Sequence, residues 1–304
     1  MRRHFDDVLV GSIELFCAAA EQGSFTAAAH ALGVTPAAVS RSVARLEARL
    51  GAQLFVRTTR QMSLTEAGRR YLEQCRQGLA LLIDAERTVT GTHGQPAGVV
   101  RISAPTTYGH HRLLPLLPRF RMAYPDVQVE IHVSNRNIDF VDDGYDLAIR
   151  ARELPDSRLV AHKLEDAELV VVAAPGYLAA RGRPDAIAAL AQHDCINFAL
   201  PRTGRPVPWL LRDQGKAVEV AVAGSCCVFE DLLAGVTLAR SGGGLFQAYR
   251  FTVEEDLRAG TLVEVLGEHG GCARPFSVLY PHGRHLPLRV RALVDFLLAT
   301  VPGR

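Results

Sequence analysis

Lysine is almost missing from this chain. Lys163 and Lys216 are the only two among 34 basic residues, so nearly all of the fixed positive charge is arginine. That bias runs the length of the chain and by itself assigns no function. Long apolar runs are missing too: none approaches the roughly 18 residues of a membrane-spanning helix, so no membrane partner is expected. The opening MRRHFDD is basic, then acidic, with no apolar core or signal-cleavage pattern behind it, which argues against secretion. The six cysteines (Cys17, Cys75, Cys195, Cys226, Cys227, Cys272) contain no CxxC pair. They read as reduced thiols in a cytoplasm, and the Cys226-Cys227 doublet lacks zinc or dithiol spacing, so both are expected to pack, with a redox-sensing role left open. The catalytic signatures GxSxG, GxxxxGKS/T, HExxH and GxGxxG are absent. Adjacent His110 and His111 cannot share a helix face, and the SGGG run at 241–244 reads as a turn. No catalytic residue, metal site or cofactor is expected.

What is present is an ordinary globular balance, 48% hydrophobic and 22% charged over 304 residues. That length has room for two or three domains of roughly 100–200 residues. The net charge of +2 conceals an uneven distribution: Pro36 to Arg76 carries eight arginines against three glutamates. A basic block inside a nearly neutral chain suits a polyanion.

Within it, Gly33-Val34-Thr35 reads as a tight turn between two helices. Leu9, Ile13, Phe16 and Ala20 fall at helical spacing before Gly23, and Thr26 is placed to cap a second helix over 27–32. Thr35 can cap the third, with Pro36 at its first position and Gly51 at its end. Val39, Val43, Leu46 and Leu50 make one apolar stripe. Ala37, Arg41, Ala44, Arg45, Ala48 and Arg49 lie opposite, with Ser40 at the flank. Small residues among arginines let a helix approach bases closely. A helix-turn-helix with a basic outer face places its second helix in the major groove. The stretch after Gly51, QLFVRTTRQMSLT, reads as a short hairpin, or wing. Arginines on a helix are usually only a solvated face; here the cap, turn, small-residue face and basic wing coincide.

The stretch ELFCAAAEQGSFTAAAHALGVTPAAVSRSVARLEARLGAQLFVRTTRQMSLTEAG resembles the N-terminal winged helix-turn-helix of LysR-type transcriptional regulators, over nearly all of residues 8–70. The resemblance implies that Thr35, Pro36, Ser40 and Arg41 face DNA and that Arg60 sits in the wing near the minor groove. The arginine face adds Arg45 and Arg57. Thr65 can cap a long helix to about Thr90, on which Tyr71, Leu72, Cys75, Leu79, Leu82, Ile83 and Val89 share an arc of about 120°. Such a stripe packs on its own domain or on a second copy. The resemblance implies the second, an antiparallel linker-helix dimer, which would read two symmetric half-sites. GTHGQPAG (91–98) then marks a hinge.

From 98 onward, strand and helix patterns alternate: VVRISAP, HHRLLPLLPRFRMAYP, VQVEIHVS, a short helix over NIDFVDDGY, DLAIRA. This alternation predicts an α/β fold with a mostly parallel sheet. RISAPTTYGHHRLLPLLPRFRMAYPDVQVEI, VDDGYDLAIRA, LPDSRLVAHKL and LPRTGRPVPWLL resemble the family's effector-binding domain, a two-lobed fold like type 2 periplasmic-binding proteins. The expected layout is a winged helix-turn-helix over 1–65, a linker helix and hinge over 66–97, and an effector domain over 98–304. Subdomain I takes about 98–165 plus 267–304, and subdomain II about 166–266. Ligands of open α/β sheets sit beyond strand carboxyl ends. Thr106 and Thr107 follow the first strand and are placed for a carboxylate; Ser134, Asn135 and Arg136 follow the second, with Arg136 positioned to pair with an anion. By the resemblance, Leu200, Pro201, Phe246 and Gln247 match family positions that can line the opposite wall.

The sequence thus predicts a cytoplasmic, non-enzymatic transcription factor. Its expected partners are double-stranded promoter DNA, a small and anionic effector, itself as a dimer or tetramer, and RNA polymerase if it activates. Two alternatives weigh less: a solute-binding transport receptor, which would have a signal peptide and no helix-turn-helix, and an α/β enzyme on a small acid, which would have a catalytic motif.

Overall fold

The computed structural model describes residues 10–57, 62–89, 95–136, 138, 140, 143–151, 159–200, 204–282 and 286–301, with backbone alone at 57, 77, 80, 81 and 84–89. The chain divides into two compact units, 1–94 with 141–144, and 95–140 with 145–304.

The first unit opens with α1 (Val10–Gln22), α2 (Phe25–Ala31) and α3 (Pro36–Leu50). Gly23 takes φ +60° after α1, where a side chain would be strained. The cap of α2 is Ser24, two residues earlier than the Thr26 expected from sequence. Ser24 is extended, at φ −156°, and its hydroxyl accepts from the Ala27 amide at 3.3 Å; Thr26 lies inside the first turn, where it cannot cap. The start of α3 follows the expectation: Thr35 accepts from the Ala38 amide at 3.2 Å and Pro36 occupies the first turn. Gly51, in the left-handed conformation at φ 65°, ends it. Val39, Val43 and Leu46 are buried with Phe16, Ala28 and Ala29, whereas Leu50 is 41% exposed, because the chain turns away at Gly51.

Strands β1 (Phe55–Arg57) and β2 (Met62–Leu64) pair antiparallel, with Phe55 opposite Leu64. Phe55 meets Phe16 and Phe25 edge-on, each at 5.5 Å between centroids, and each such pair contributes about 0.5–1.5 kcal/mol beyond its buried area. Thr65 caps α4 (Glu66–Val89) by accepting from Gly68 N at 2.9 Å, and donates to the Gln53 carbonyl at 2.7 Å. Leu72 and Cys75 bury against the three-helix core; Leu82 and Ile83, further along, are 49% and 47% exposed.

The second unit begins with β3 (Gly98–Ala104), then a continuous helical stretch: α5 (Thr106–Tyr108), a π turn (Gly109–Leu113) and α6 (Leu114–Ala123). Pro115 has no N–H to offer, and the π turn absorbs the break by bonding the Leu114 amide to the Gly109 carbonyl. There follow β4 (Val127–Val133), β5 (Leu147–Arg150), β6 (Leu159–Ala173), α7 (Pro175–Arg181), a 3₁₀ turn (Ile187–Gln192) and β7 (Asn197–Ala199). Next come β8 (Trp209–Asp213), β9 (Lys216–Val220), β10 (Cys227–Phe229), α8 (Leu232–Arg240), β11 (Phe246–Tyr249) and α9 (Arg250–Ala259). The chain closes with β12 (Val263–Val265), a 3₁₀ turn (Gly267–His269), β13 (Ala273–Pro281) and α10 (Leu288–Thr300). Of the short helix expected over NIDFVDDGY, residues 137, 139, 141 and 142 lie outside the described residues, and none of the other five is helical.

Seven strands form one sheet in the order β11-β6-β13-β5-β3-β4, with β12 also on β6. Only β4, β3 and β5 are mutually parallel; every pairing of β6 and β13 is antiparallel. The sheet is therefore mixed rather than mostly parallel, because β13, from the far end of the chain, inserts antiparallel between β5 and β6. The fifteen-residue β6 crosses the unit: its first ten residues pair with β13 and its last five with β11 and β12. Leu164, Ala167 and Leu169 join a core around Ile102, Tyr108, Phe120 and Leu293, whereas Val170 to Ala173 enter two smaller cores around Phe246 and Trp209. β6 and β13 thus join two lobes.

Candidate functional site

The outer face of α3 is open. Thr35, Pro36, Ala37, Arg41, Ala44, Arg45, Ala48 and Arg49 are all exposed, and Ser40 is half-buried. Among the described residues, Arg41 and Arg45 make no hydrogen bond or ion pair, while Arg49 does have a partner interaction. The arginines of α4 differ. Arg69 and Arg70 lie 2.8 and 3.5 Å from Glu66, whose carboxyl Arg69 holds below the usual carboxylate range, and Arg76 lies 2.8 Å from Glu21. Among the described side chains of this basic block, the uncompensated charge is therefore concentrated on α3, among alanines, where a polyanion meets little steric resistance.

Two side chains that the sequence did not single out hold this face in place. Ser42 is buried and donates to the Ser12 hydroxyl at 2.8 Å, linking α3 to α1. Glu47 accepts from the amides of Leu54 and Phe55 at 2.8 and 3.1 Å, fixing the entry to the hairpin relative to α3. Neither serine nor glutamate at such a spacing carries a local signal, since the partners come from tertiary packing. Arg57 ends β1, with its side chain outside the described residues, and Arg60 lies wholly outside them.

The second unit contains a cavity of about 370 Å³ where the carboxyl ends of β3, β4 and β5 meet those of β7 and the start of α8. Ligands of open α/β sheets bind in this position. Of the residues expected from sequence, Thr107, Asn135, Leu200, Phe246 and Gln247 line it. Thr106, Ser134 and Arg136 do not line it, and Pro201 falls outside the described residues. Arg136 is exposed; its amide donates to the Ser134 hydroxyl at 3.2 Å, so that pair forms a local turn beside the cavity rather than an anion site in it.

Thr106 and Asn135 are engaged across the mouth instead. The Thr106 hydroxyl donates to Asp231 Oδ1 at 3.0 Å and accepts from Asn135 Nδ2 at 2.8 Å, while Asn135 Oδ1 accepts from the Thr106 amide at 3.2 Å. Asn135 Nδ2 also donates to the Glu230 carbonyl. Asp231 caps α8 by accepting from the Leu233 amide at 3.1 Å. The Gln247 amide is occupied as well, accepting from Leu210 N and donating to Leu210 O, both at 2.9 Å.

Sequence reasoning missed the two cations of the cavity, Arg150 and Arg274. Arg150 binds inward to the protein: its guanidinium reaches the Ser103 carbonyl (3.2 Å) and hydroxyl (2.9 Å), the Ile149 carbonyl (2.7 Å) and the Arg136 carbonyl (3.1 Å). Phe198, Trp209, Tyr249 and Phe276 add four rings to that of Phe246. Burial pushes the Tyr249 phenol up to about 12, against the pull of the Arg274 charge, so it is neutral at any working pH. The Cys226-Cys227 doublet does not pack as expected: Cys226 is half-buried and Cys227 exposed, because β10 is a three-residue strand in a two-stranded sheet. No helix among the described residues is long and apolar enough to cross a membrane.

Comparison with known proteins matches both units. Residues 10–69 match the bacterial regulatory helix-turn-helix protein, lysR family, and residues 93–302 match the LysR substrate binding domain. The HTH-type transcriptional regulator CrgA of Neisseria meningitidis serogroup C is 35% identical over 288 residues, 94% of this chain and 95% of its own. The regulator PtxR of Pseudomonas aeruginosa is 35% identical over 285 residues, 93% of this chain and 89% of its own. Among solved structures, that of Neisseria meningitidis CrgA superimposes with a TM-score of 0.60 at 32% identity, covering 96% of this chain and 99% of that one. The full-length Vibrio cholerae virulence activator AphB gives 0.60 at 28% identity, with the same coverage.

Proposed function

The chain belongs to the LysR family of DNA-binding transcriptional regulators with an effector-binding domain, and on that premise we propose how its own residues divide the work. Residues 1–65 form the winged helix-turn-helix, 66–97 the linker helix and hinge, and 98–304 the effector-binding domain. In that domain 98–165 with 267–304, and 166–266, are the two lobes. Thr35, Pro36, Ser40 and Arg41 enter the major groove at the start of α3. Arg41 makes base-edge contacts, Arg45 and Arg57 position the backbone, and Arg60 lies at the minor groove.

The observation that carries this reading is the pair Arg41 and Arg45, exposed and without a partner among the described residues, among alanines on a helix whose start is fixed by Thr35 and Pro36. Members of the family oligomerise. Here Leu82 and Ile83, half-exposed on α4, belong to the face that a second copy would cover, giving a dimer that reads two half-sites. A small anionic effector in the 370 Å³ cavity would shift the populations of arrangements of the DNA-binding units. Mobility shift of the protein on its own upstream region, over a salt titration, tests the reading. Binding that prefers that region over unrelated DNA supports it; equal binding to both at every salt concentration sinks it.

A further inference from the structure

Resting on the reading of the cavity as an effector site, we infer that the effector is a singly charged aromatic carboxylate and that Arg274 is its anchor. The lining contains two arginines and no acid among the described residues. Their roles differ. Arg150 has four protein acceptors, whereas Arg274, half-buried, makes no hydrogen bond or ion pair with any described residue. A half-buried guanidinium with no protein acceptor is available to an incoming carboxylate for a forked, charge-assisted pair.

Two neutral donors are likewise uncommitted. The hydroxyls of Tyr249 and Thr107, residues only 8% and 3% exposed, have no hydrogen-bond partner among the described residues, and both residues line the same cavity. The other polar lining groups, Asn135 and Gln247, are occupied by the protein itself. The cavity thus offers one uncommitted positive charge and two uncommitted donors, which fits a single carboxylate rather than a dianion. The rest of the wall is apolar and ringed by Phe198, Trp209, Phe246 and Phe276, which favours a flat aromatic body over a sugar or a polar amino acid.

The position of Arg274 gives the anchor a consequence. It lies on β13 opposite Ala167 of β6, where the two strands join the lobes, and Trp209 and Phe246 belong to the far lobe. A ligand held at one end by the joining strand and at the other by the far lobe favours one setting of the lobes over another.

The test uses the full-length protein and calorimetric titration with benzoate, 1-naphthoate and indole-3-acetate, each beside its neutral amide, and phthalate as the dianion. The expected result is that at least one monocarboxylate binds, that its amide and phthalate bind at least about 10-fold more weakly, and that Arg274→Met loses roughly 10- to 100-fold while Arg274→Lys recovers part. Retained upstream-DNA binding by Arg274→Met shows that this variant is folded. If that variant fails to fold, the acid–amide comparison on the native protein decides alone. Equal binding of acid and amide, or full affinity in folded Arg274→Met, overturns the anchor while leaving the cavity as effector site. If none of these acids binds, the ligand class is overturned. The underlying reading of the cavity fails separately, if Trp209→Ala and Phe246→Ala leave unchanged the response of DNA binding to whatever small molecule alters it.

Discussion

The hydroxyl of Thr106 donates to Asp231 Oδ1 at 3.0 Å, and the bond joins the end of β3 in one lobe to the cap of α8 in the other. Both partners have a second role: Thr106 also accepts from Asn135, and Asp231 also holds the first turn of α8. The bond ties the two segments together beside the cavity, whose lining includes their neighbours Thr107 and Leu232. A hydrogen bond to a charged acceptor is worth about 1.5–3 kcal/mol, enough to bias an equilibrium between lobe settings.

Thr106→Val and Asp231→Asn should therefore be coupled. Chemical denaturation of the two single variants and the double should give an interaction energy of about 1–2 kcal/mol. Additive losses would mean that the two side chains do not act on each other in solution.

Glu47 connects α3 to the hairpin through the Leu54 and Phe55 amides. Glu47→Ala leaves two partly buried donors unpartnered and should cost about 2–3 kcal/mol of stability, with a loss of DNA affinity. Glu47→Gln retains an acceptor oxygen and should recover part of both. Unchanged unfolding of Glu47→Ala would show that water replaces the carboxylate.

Gly235 on α8 faces the ring of Phe246, and a Cβ there would collide with it. Gly235→Ala should push that ring toward the cavity, cost about 1–3 kcal/mol, and weaken the binding of whatever ligand the cavity takes. A variant with native stability and native ligand affinity would show that α8 yields instead.

His111 is half-buried, 6.0 Å from Phe251, and burial holds its imidazole below the usual histidine range, helped by His110 and Arg112. A histidine with a lowered folded value destabilises the fold when protonated. Its contribution is therefore present above the unfolded value of about 6.5 and is lost as pH falls through and below it. His111→Gln should flatten the fall in melting temperature between pH 7 and 5. An unchanged slope would assign the acid sensitivity to other groups.

How much of this was legible in the sequence follows from distance along the chain. The start and end of α3 were readable because Thr35, Pro36 and Gly51 act on residues three or four positions away. The cap of α2 was misplaced by two residues, because Ser24 and Thr26 are chemically equivalent and only backbone conformation separates them. Of the segments after β3 and β4, Thr107 and Asn135 line the cavity and Arg136 does not, while Arg150 and Arg274 line it without any local signal in the sequence. Arg150 and Arg274 are brought together by β13 inserting between β5 and β6, an order that no local pattern encodes. Ser42 and Glu47 escaped for the same reason: each has a partner fixed by the packing of another element.

The central claim is that α3 reads sequence through Arg41. Fluorescence anisotropy of the full-length protein and its Arg41→Ala variant, at one fixed salt concentration, on the upstream region and on a scrambled duplex, tests it most directly. The expected result is a strong native preference for the upstream region. Arg41→Ala should lose about 1–3 kcal/mol on that region and much less on the scrambled duplex. Equal losses on both would reduce Arg41 to a phosphate contact, and a native protein that binds both duplexes equally would contradict the account.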